Sequence, residues 1–409
     1  SMLTFSLSVC LSVRLNILLG GMTPLYFHMV NVCLHCAVTC LLMQTCERCV
    51  FEDSRLAFIT ALLFAVHPVH TEAVSGIVGR ADVLACLLFL LTFLSYIRSV
   101  GECDSEDSLP STVSTWSLLI SLLLGTCAML VKETGITVFG VCLLYDALIK
   151  DAVCLTFCLS VSPSHLSGSG LRDFLHICSP FIKRAWLISV IIMSVRLWLM
   201  GGSMPLFSEQ DNPASFSPHL LTRILTYLYL LSFNAWLLLA PVVLCYDWQV
   251  GSIPLVEALG DVRNVSTVLL AMVMVALCLH CIFSLQRLQH KEVLVGMLFL
   301  VFPFIPASNL FFRVGFVVAE RVLYMPSMGY CILVAHGLGR LCSVLGRFGA
   351  TVLSVSMLLL LLLFSWKTVQ QNNVWLSREA LFRRLHFREI RSLFRGVNLV
   401  TDTNLLLTD

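Results

Sequence analysis

The chain has 409 residues, 58% of them hydrophobic and only 12% charged, with a mean hydropathy of +0.90. Soluble domains carry about twice that share of charge, and here 26 Lys+Arg against 24 Asp+Glu leave a net charge of only +2. These figures exclude a water-soluble globular enzyme, a disordered scaffold and a nucleic-acid binder; the solvent is a bilayer, and the length allows about ten helical spans.

Apolar runs bounded by charge predict spans at Leu25 to Met43, Leu56 to Val66, Val83 to Ile97, Trp116 to Val131, Ile136 to Leu148 and Ala185 to Met200. Further runs follow at Ile224 to Val243, Thr267 to Phe283, Val293 to Ile305, Met328 to Val344 and Ala350 to Trp366. Several are short for a crossing and need tilt or wound-in loop residues. Most of the 18 cysteines fall inside these runs, where a thiol acts as a small hydrophobe. Cys46 and Cys49 form a C-x-x-C beside Cys40 and His35. No second pair at zinc-ribbon spacing follows, so a helix end is the reading favoured over a metal or redox pair.

Lys and Arg collect on cytosolic loops. The loops carrying Arg48 and Arg55, then Arg98, then Lys150, Arg172, Lys183 and Arg184, then Arg287 and Lys291, then Arg340 and Arg347 should therefore share one side. Counting from either end of the chain, the two halves agree only if Ile224 to Val243 does not cross, which predicts a re-entrant or interfacial element on the opposite side. Pro241 within that run is compatible with a break. An Asn264-Val265-Ser266 sequon falls on the same non-cytosolic side. Residues 1–366 read as one polytopic membrane domain and 367–409 as a short Arg-rich tail.

The strongest polar constellation runs from His67 to Asp82 and holds His67, His70, Glu72, Arg80 and Asp82 between two apolar runs. Such groups are expensive at membrane depth unless they face a cavity or a partner, and the guanidinium of Arg80 suits a phosphate. Two other readings stand beside this one: a connecting loop whose charges pair among themselves, and a zinc or manganese site, which Pro68 between the histidines disfavours. Lys132 and Glu133 interrupt two further runs; as neighbours on a helix they do not face each other, so one of them points into a cavity or both punctuate an interface. The last large loop sets Glu320, Arg321 and Tyr324 among apolar residues, with Arg321 a second candidate for an anionic headgroup, the other reading being an Arg and a Tyr that anchor a helix end at the interface.

The stretches FAVHPVHTEAVSGIVGRADVLA, KETGITVFGVCLLYD and PASNLFFRVGFVVAERVLYMPSMGY closely resemble the membrane part of the transmembrane and tetratricopeptide-repeat containing protein family. RLNILLGGMTPLYFHMVNVCLHC upstream and NNVWLSREALFR downstream are similar to it too, so the resemblance spans roughly Arg14 to Arg383. It implies an all-α, multi-pass protein of the endoplasmic reticulum membrane with the fold of C-type glycosyltransferases. It also implies transfer of mannose from dolichyl-phosphate mannose, without a further cofactor or metal, to Ser or Thr of cadherin-type domains. Arg80, Lys132 and Arg321 are then the candidates for the donor phosphate, with His67, His70, Glu72, Asp82, Glu133 and Glu320 as supporting polar groups and Asn264 as a glycosylation site. The family's acidic pair, from which the catalytic base is expected, does not appear among these residues, and no acidic residue precedes Glu47. The tail does not resemble a tetratricopeptide repeat. The expectation is a form shortened at both ends and catalytically defective, the alternative being a non-catalytic regulator that binds lipid phosphate or a partner. A transporter is disfavoured because the charges cluster at span ends rather than at the midplane.

Overall fold

A computed structural model describes residues 24–101, 112–145, 194, 207–209, 211–245, 248, 253–286, 291–311 and 313–375. Among them every regular element is a helix and none is a strand. The main helices are α1 (Pro24–Thr45), α2 (Ser54–Val66), α3 (Thr71–Ser75), α4 (Arg80–Gly101), α5 (Thr112–Val131) and α6 (Thr137–Tyr145). They are followed by α7 (Pro213–Phe216), α8 (Leu220–Leu239), α9 (Asn264–Gln286), α10 (Lys291–Val301), α11 (Pro326–Val344) and α12 (Gly346–Trp375). A chain this apolar, folded into helices, is a multi-pass membrane protein: helices satisfy their own backbone groups where no water can.

Five of these helices are long and apolar enough to cross a bilayer: α1 continued to Val50, α4, α8, α9 and α12. A sixth forms if α2 and Pro68–Ser75, bent by 48° at their junction, make one span. Among the described residues this is fewer than the roughly ten spans that length allows, and polar and proline breaks shorten several of the interior helices. α5 and α6 separate at Lys132, and α10 is only 11 residues before a 3-10 turn containing Pro303 and Pro306 takes over. Ala185 to Met200 lies outside the described residues except for one position, as does the tail beyond Trp375. The last helix runs past the expected boundary at Trp366 to Trp375, giving it 30 residues and a length of about 45 Å.

Local signals set the helix ends. Asp53 caps α2 by accepting the Arg55 N–H at 2.9 Å. The helix stops at His67 because the following Pro68 excludes the helical conformation there, leaving His67 extended with φ −64° and ψ 122°. α8 ends the same way before Pro241, with Ala240 at φ −138° and ψ 80°. The segment expected to be re-entrant or interfacial thus forms an unbroken helix with its proline beyond the end, which removes the re-entrant form and leaves the interfacial one.

The helices alternate in direction between two faces. One face holds the start of α1, the end of α2, the start of α4, the end of α5, the loop before α11 and the end of α12, joined by Arg80 to Phe27, Lys132 to Asp82, Arg321 to Glu72 and Ser75 to Asn372. The other holds the Cys46–Val50 turn, near Lys291, and Leu56 packed against Gly339. Arg48, Arg55, Lys291, Arg340 and Arg347 belong to this second, basic face.

The core lies between α1, α2, α4, α6, α10 and α11. Phe299 meets Phe89 and Phe93 edge-on at 5.5 and 5.1 Å. α10 and α11 approach so closely at Gly329 that a Cβ there would sit 2.2 Å from the Leu300 nitrogen and 2.3 Å from the Gly296 carbonyl. Close backbone crossing at a small residue is how helices associate where the hydrophobic effect between them is absent. α9, by contrast, turns Val268, Leu269, Met272, Val273, Val275 and Leu279 outward, as a lipid-facing helix must.

Candidate functional site

On the face opposite the basic loops, helix ends bring together charges from distant parts of the chain. Glu72 lies in the first turn of α3 and Asp82 in the first turn of α4, and both are buried. Lys132 leaves the helical conformation at the end of α5, with φ −151° and ψ 142°, which turns it away from Glu133 and toward Asp82. Its ammonium is ion-paired and hydrogen-bonded to the Asp82 carboxylate. The main-chain N–H of Arg321 donates to Glu72 Oε2 at 2.9 Å, and its Nε lies 3.8 Å from Oε1 of the same carboxylate. Glu72 feels the charge of Asp82 and of both cations, and Asp82 feels both cations, so the four form one electrostatic unit; Glu133 is within reach of Asp82. The Arg321 side chain is 32% exposed, against 10% for Lys132, so Arg321 is the more open cation.

Arg80 occupies a different position. The residue is 1% exposed, and its guanidinium donates through Nε to Asn31 Oδ1 at 2.6 Å and through a terminal nitrogen to the Phe27 carbonyl at 2.9 Å, with its carbon 5.4 Å above the Phe27 ring. Asn31 donates in turn to the carbonyls of Val74 at 2.9 Å and Gly76 at 3.3 Å. Asn31 and Arg80 together clamp the turn between α3 and α4 onto α1. Gly79 lets that turn close, since a Cβ there would be 2.4 Å from the Ala73 carbonyl oxygen.

The histidines are staples. His67 Nδ1 accepts the Val69 N–H at 3.3 Å, so Nε2 carries the proton and donates to the Leu238 carbonyl at 3.0 Å. Ser327 donates to the Tyr324 carbonyl, leaving its oxygen to accept from His70 Nε2 at 2.7 Å. His35, hydrogen-bonded through Nε2 to the Ala65 carbonyl at 3.2 Å, accepts the Tyr324 hydroxyl at 2.7 Å on Nδ1. Among the described residues, no three His, Cys, Asp or Glu side chains converge to hold a metal ion.

Glu320 is 1% exposed beside the cluster, and its Oε1 accepts the Cys245 N–H at 2.6 Å and the Trp248 indole N–H at 3.4 Å. Burial pushes its carboxyl well above the usual carboxylate range; the negative charge of Glu72 adds to this, and the two donors and Lys367 oppose it. Asn264 opens α9, its Nδ2 donating to the carbonyls of Ala258 and Leu259 at 3.0 Å each.

The structure therefore unites Glu72, Asp82, Lys132 and Arg321 and sets Glu320 and Glu133 at their margin. It places Arg80, His67 and His70 in the supporting framework. Sequence reading passes over Asn31, although one carboxamide inside an apolar helix is the signal of a buried polar partner. Chemically, two cations neutralised by two carboxylates at the rim of a low-dielectric bundle can bind an anion by exchange of partners, and Arg321 is the cation best exposed to do so.

The family model described as Protein O-mannosyl-transferase TMTC, DUF1736 matches residues 201–275, which contain α7, α8 and the first turns of α9. The chain is 59% identical to Protein O-mannosyl-transferase TMTC1 of Mus musculus over 91% of its own length and 46% of the relative's. It is 41% identical to TMTC3 of the same organism and 38% identical to TMTC4, over 91% of the chain and 39% and 52% of those relatives. The chain thus spans about half the length of the curated relatives it matches. No solved structure matches.

Proposed function

From its membership of the TMTC family, we propose that the chain carries the donor-binding membrane domain of a protein O-mannosyltransferase in the endoplasmic reticulum, with the fold of C-type glycosyltransferases. The donor is dolichyl-phosphate mannose and the acceptor a Ser or Thr hydroxyl of a cadherin-type domain. The observation that carries this reading is the convergence of Arg321 and Lys132, each on a carboxylate, at one end of the bundle. A polyprenyl phosphate places its charge at that depth and its tail among apolar helices.

In the transfer the bond from mannose C1 to the phosphate oxygen breaks, the phosphate leaves with the electron pair, and the acceptor oxygen bonds to C1 from the opposite side. Arg321 takes the developing charge on the leaving phosphate, and the positive charge of Lys132 makes the potential around it more favourable to an anion. A phosphate that engages Arg321 releases Glu72 from its ion pair, and Glu72, in place of the family's acidic pair, is the carboxylate we assign to take the acceptor proton. Arg80 and Asn31 hold the turn that positions Glu72 and Asp82.

The test is transfer of labelled mannose to a cadherin domain by microsomes containing this chain. Activity at least tenfold above microsomes lacking it, abolished by Arg321→Gln, supports the proposal. Transfer indifferent to Arg321→Gln overturns the assignment of the site. Donor binding without transfer favours the non-catalytic lipid-phosphate reading.

A further inference from the structure

α8 has its polarity inverted. Its inward side carries Thr222, Thr226, Ser232 and Asn234 together with Leu225, Tyr229, Leu230, Leu237 and Leu238, while Leu220, Leu221, Ile224, Trp236 and Leu239 point outward and are roughly half exposed or more. An apolar outer side identifies the surroundings as lipid.

The orientation follows from its partners. The Leu238 carbonyl, at one end, meets His67; Tyr229, at the middle, lies 5.5 Å beneath the Arg263 guanidinium; and Thr226, nearer the other end, accepts the Val256 N–H at 3.0 Å. Just before the helix, Asn212 donates to Asn309 Oδ1 and the Val314 carbonyl at 2.9 and 3.0 Å. All of these partners lie in connections on the site face. A 20-residue helix is about 30 Å long, so an upright α8 would carry one end to the opposite, basic face; instead its whole length is tied to one face.

Two cations flank the starting end. Arg313 is exposed and lies 5.6 Å over the Phe216 ring, and both Arg313 and Arg223 act electrostatically on the Tyr227 hydroxyl. Beside them Leu310 and Phe311 are 55% and 75% exposed, held out by a loop in which Asn309 adopts φ +61°. We infer that α8 lies in the plane of the bilayer surface on the site face, with Leu220, Leu221, Ile224 and Phe311 among acyl chains and Arg223 and Arg313 on the phosphates of anionic phospholipids. The pairing of an apolar outer side with guanidinium groups favours a lipid surface over a protein partner, since phospholipid offers both acyl chains and phosphates. This inference does not depend on mannosyl transfer.

A nitroxide-bearing amino acid placed singly at Leu221 and at Leu239 of the full chain in lipid nanodiscs tests the orientation by oxygen and nickel-chelate accessibility. The expected result is the same shallow depth at both positions. Depths differing by most of the helix length show an upright helix and overturn the inference; aqueous accessibility at both positions overturns it in favour of a face open to water or to a protein.

The headgroup assignment is tested by association of spin-labelled phosphatidylserine against phosphatidylcholine. Arg223→Gln with Arg313→Gln should lower the preference for the anionic lipid severalfold, and the double lysine variant should retain it. An unchanged preference in the glutamine variant, or loss in both variants with native melting behaviour, contradicts the assignment.

Discussion

Glu72 and Arg321 lie 249 residues apart in sequence and are joined twice, once through the main-chain N–H of Arg321 at 2.9 Å and once through its guanidinium at 3.8 Å. The first contact survives any change of the Arg321 side chain, so substitution there separates the charge of residue 321 from the path of the backbone. A double-mutant cycle of Glu72→Gln and Arg321→Gln, read by thermal unfolding in detergent, should give a coupling of about 0.5–1 kcal/mol, the size of a partly exposed pair in a network. Strict additivity would mean that the side chains do not interact.

Asn31 is the hub of the clamp on the α3–α4 turn. Asn31→Leu leaves the Arg80 guanidinium without its Oδ1 partner in a buried position and should destabilise the protein by about 2–4 kcal/mol, more than the deletion of a neutral hydrogen bond. Melting temperature checks this, and Asn31→Leu combined with Arg80→Met should recover part of the loss. Equal destabilisation by the double variant would contradict the clamp.

At Gly329 a methyl group has no room, because its nearest neighbours are backbone atoms of α10. Gly329→Ala should force the two helices apart and lower the melting temperature by several degrees, and Gly329→Leu should prevent accumulation of folded protein. A silent Gly337→Ala is the control, since nothing lies within 4 Å of a Cβ at that position.

Glu320 gives a signed pH dependence. Its folded carboxyl is raised by burial above an unfolded value of about 4.3, so the native state binds a proton that the unfolded state has lost. The stability it contributes is fully present below the unfolded value and is lost as pH rises through the raised folded value. Glu320→Gln should therefore flatten the fall in melting temperature between weakly acid and alkaline pH. Parallel profiles for the two proteins would contradict it.

How much of this is legible without coordinates depends on the range of the interaction. Charge is so sparse that the His67–Asp82 stretch and the Glu320–Arg321 pair stand out on composition alone, and Pro68 and Pro241 mark two helix ends. The partners do not stand out. Asp82 with Lys132, Glu72 with Arg321 and Glu320 with Cys245 are separated by 50, 249 and 75 residues, and nothing in local periodicity links them. Arg80 reads as an anion site because a guanidinium at a span end has that chemistry; the polar atoms of α1 that bind it instead, Asn31 Oδ1 and the Phe27 carbonyl, lie about 50 residues away in sequence. The unbroken α8 is likewise hidden, since Pro241 limits the helix rather than bending it, and which side faces lipid is set by loops that pack beneath it.

The most direct test of the donor site is the affinity of the full chain in nanodiscs for a radiolabelled polyprenyl-phosphate mannose. Arg321→Gln and Lys132→Gln should each weaken binding by tenfold or more, about 1.4 kcal/mol, while the sugar-free, phosphate-free polyprenol binds all three proteins alike. Affinities unchanged within twofold in both variants would contradict the claim that these cations hold the phosphate.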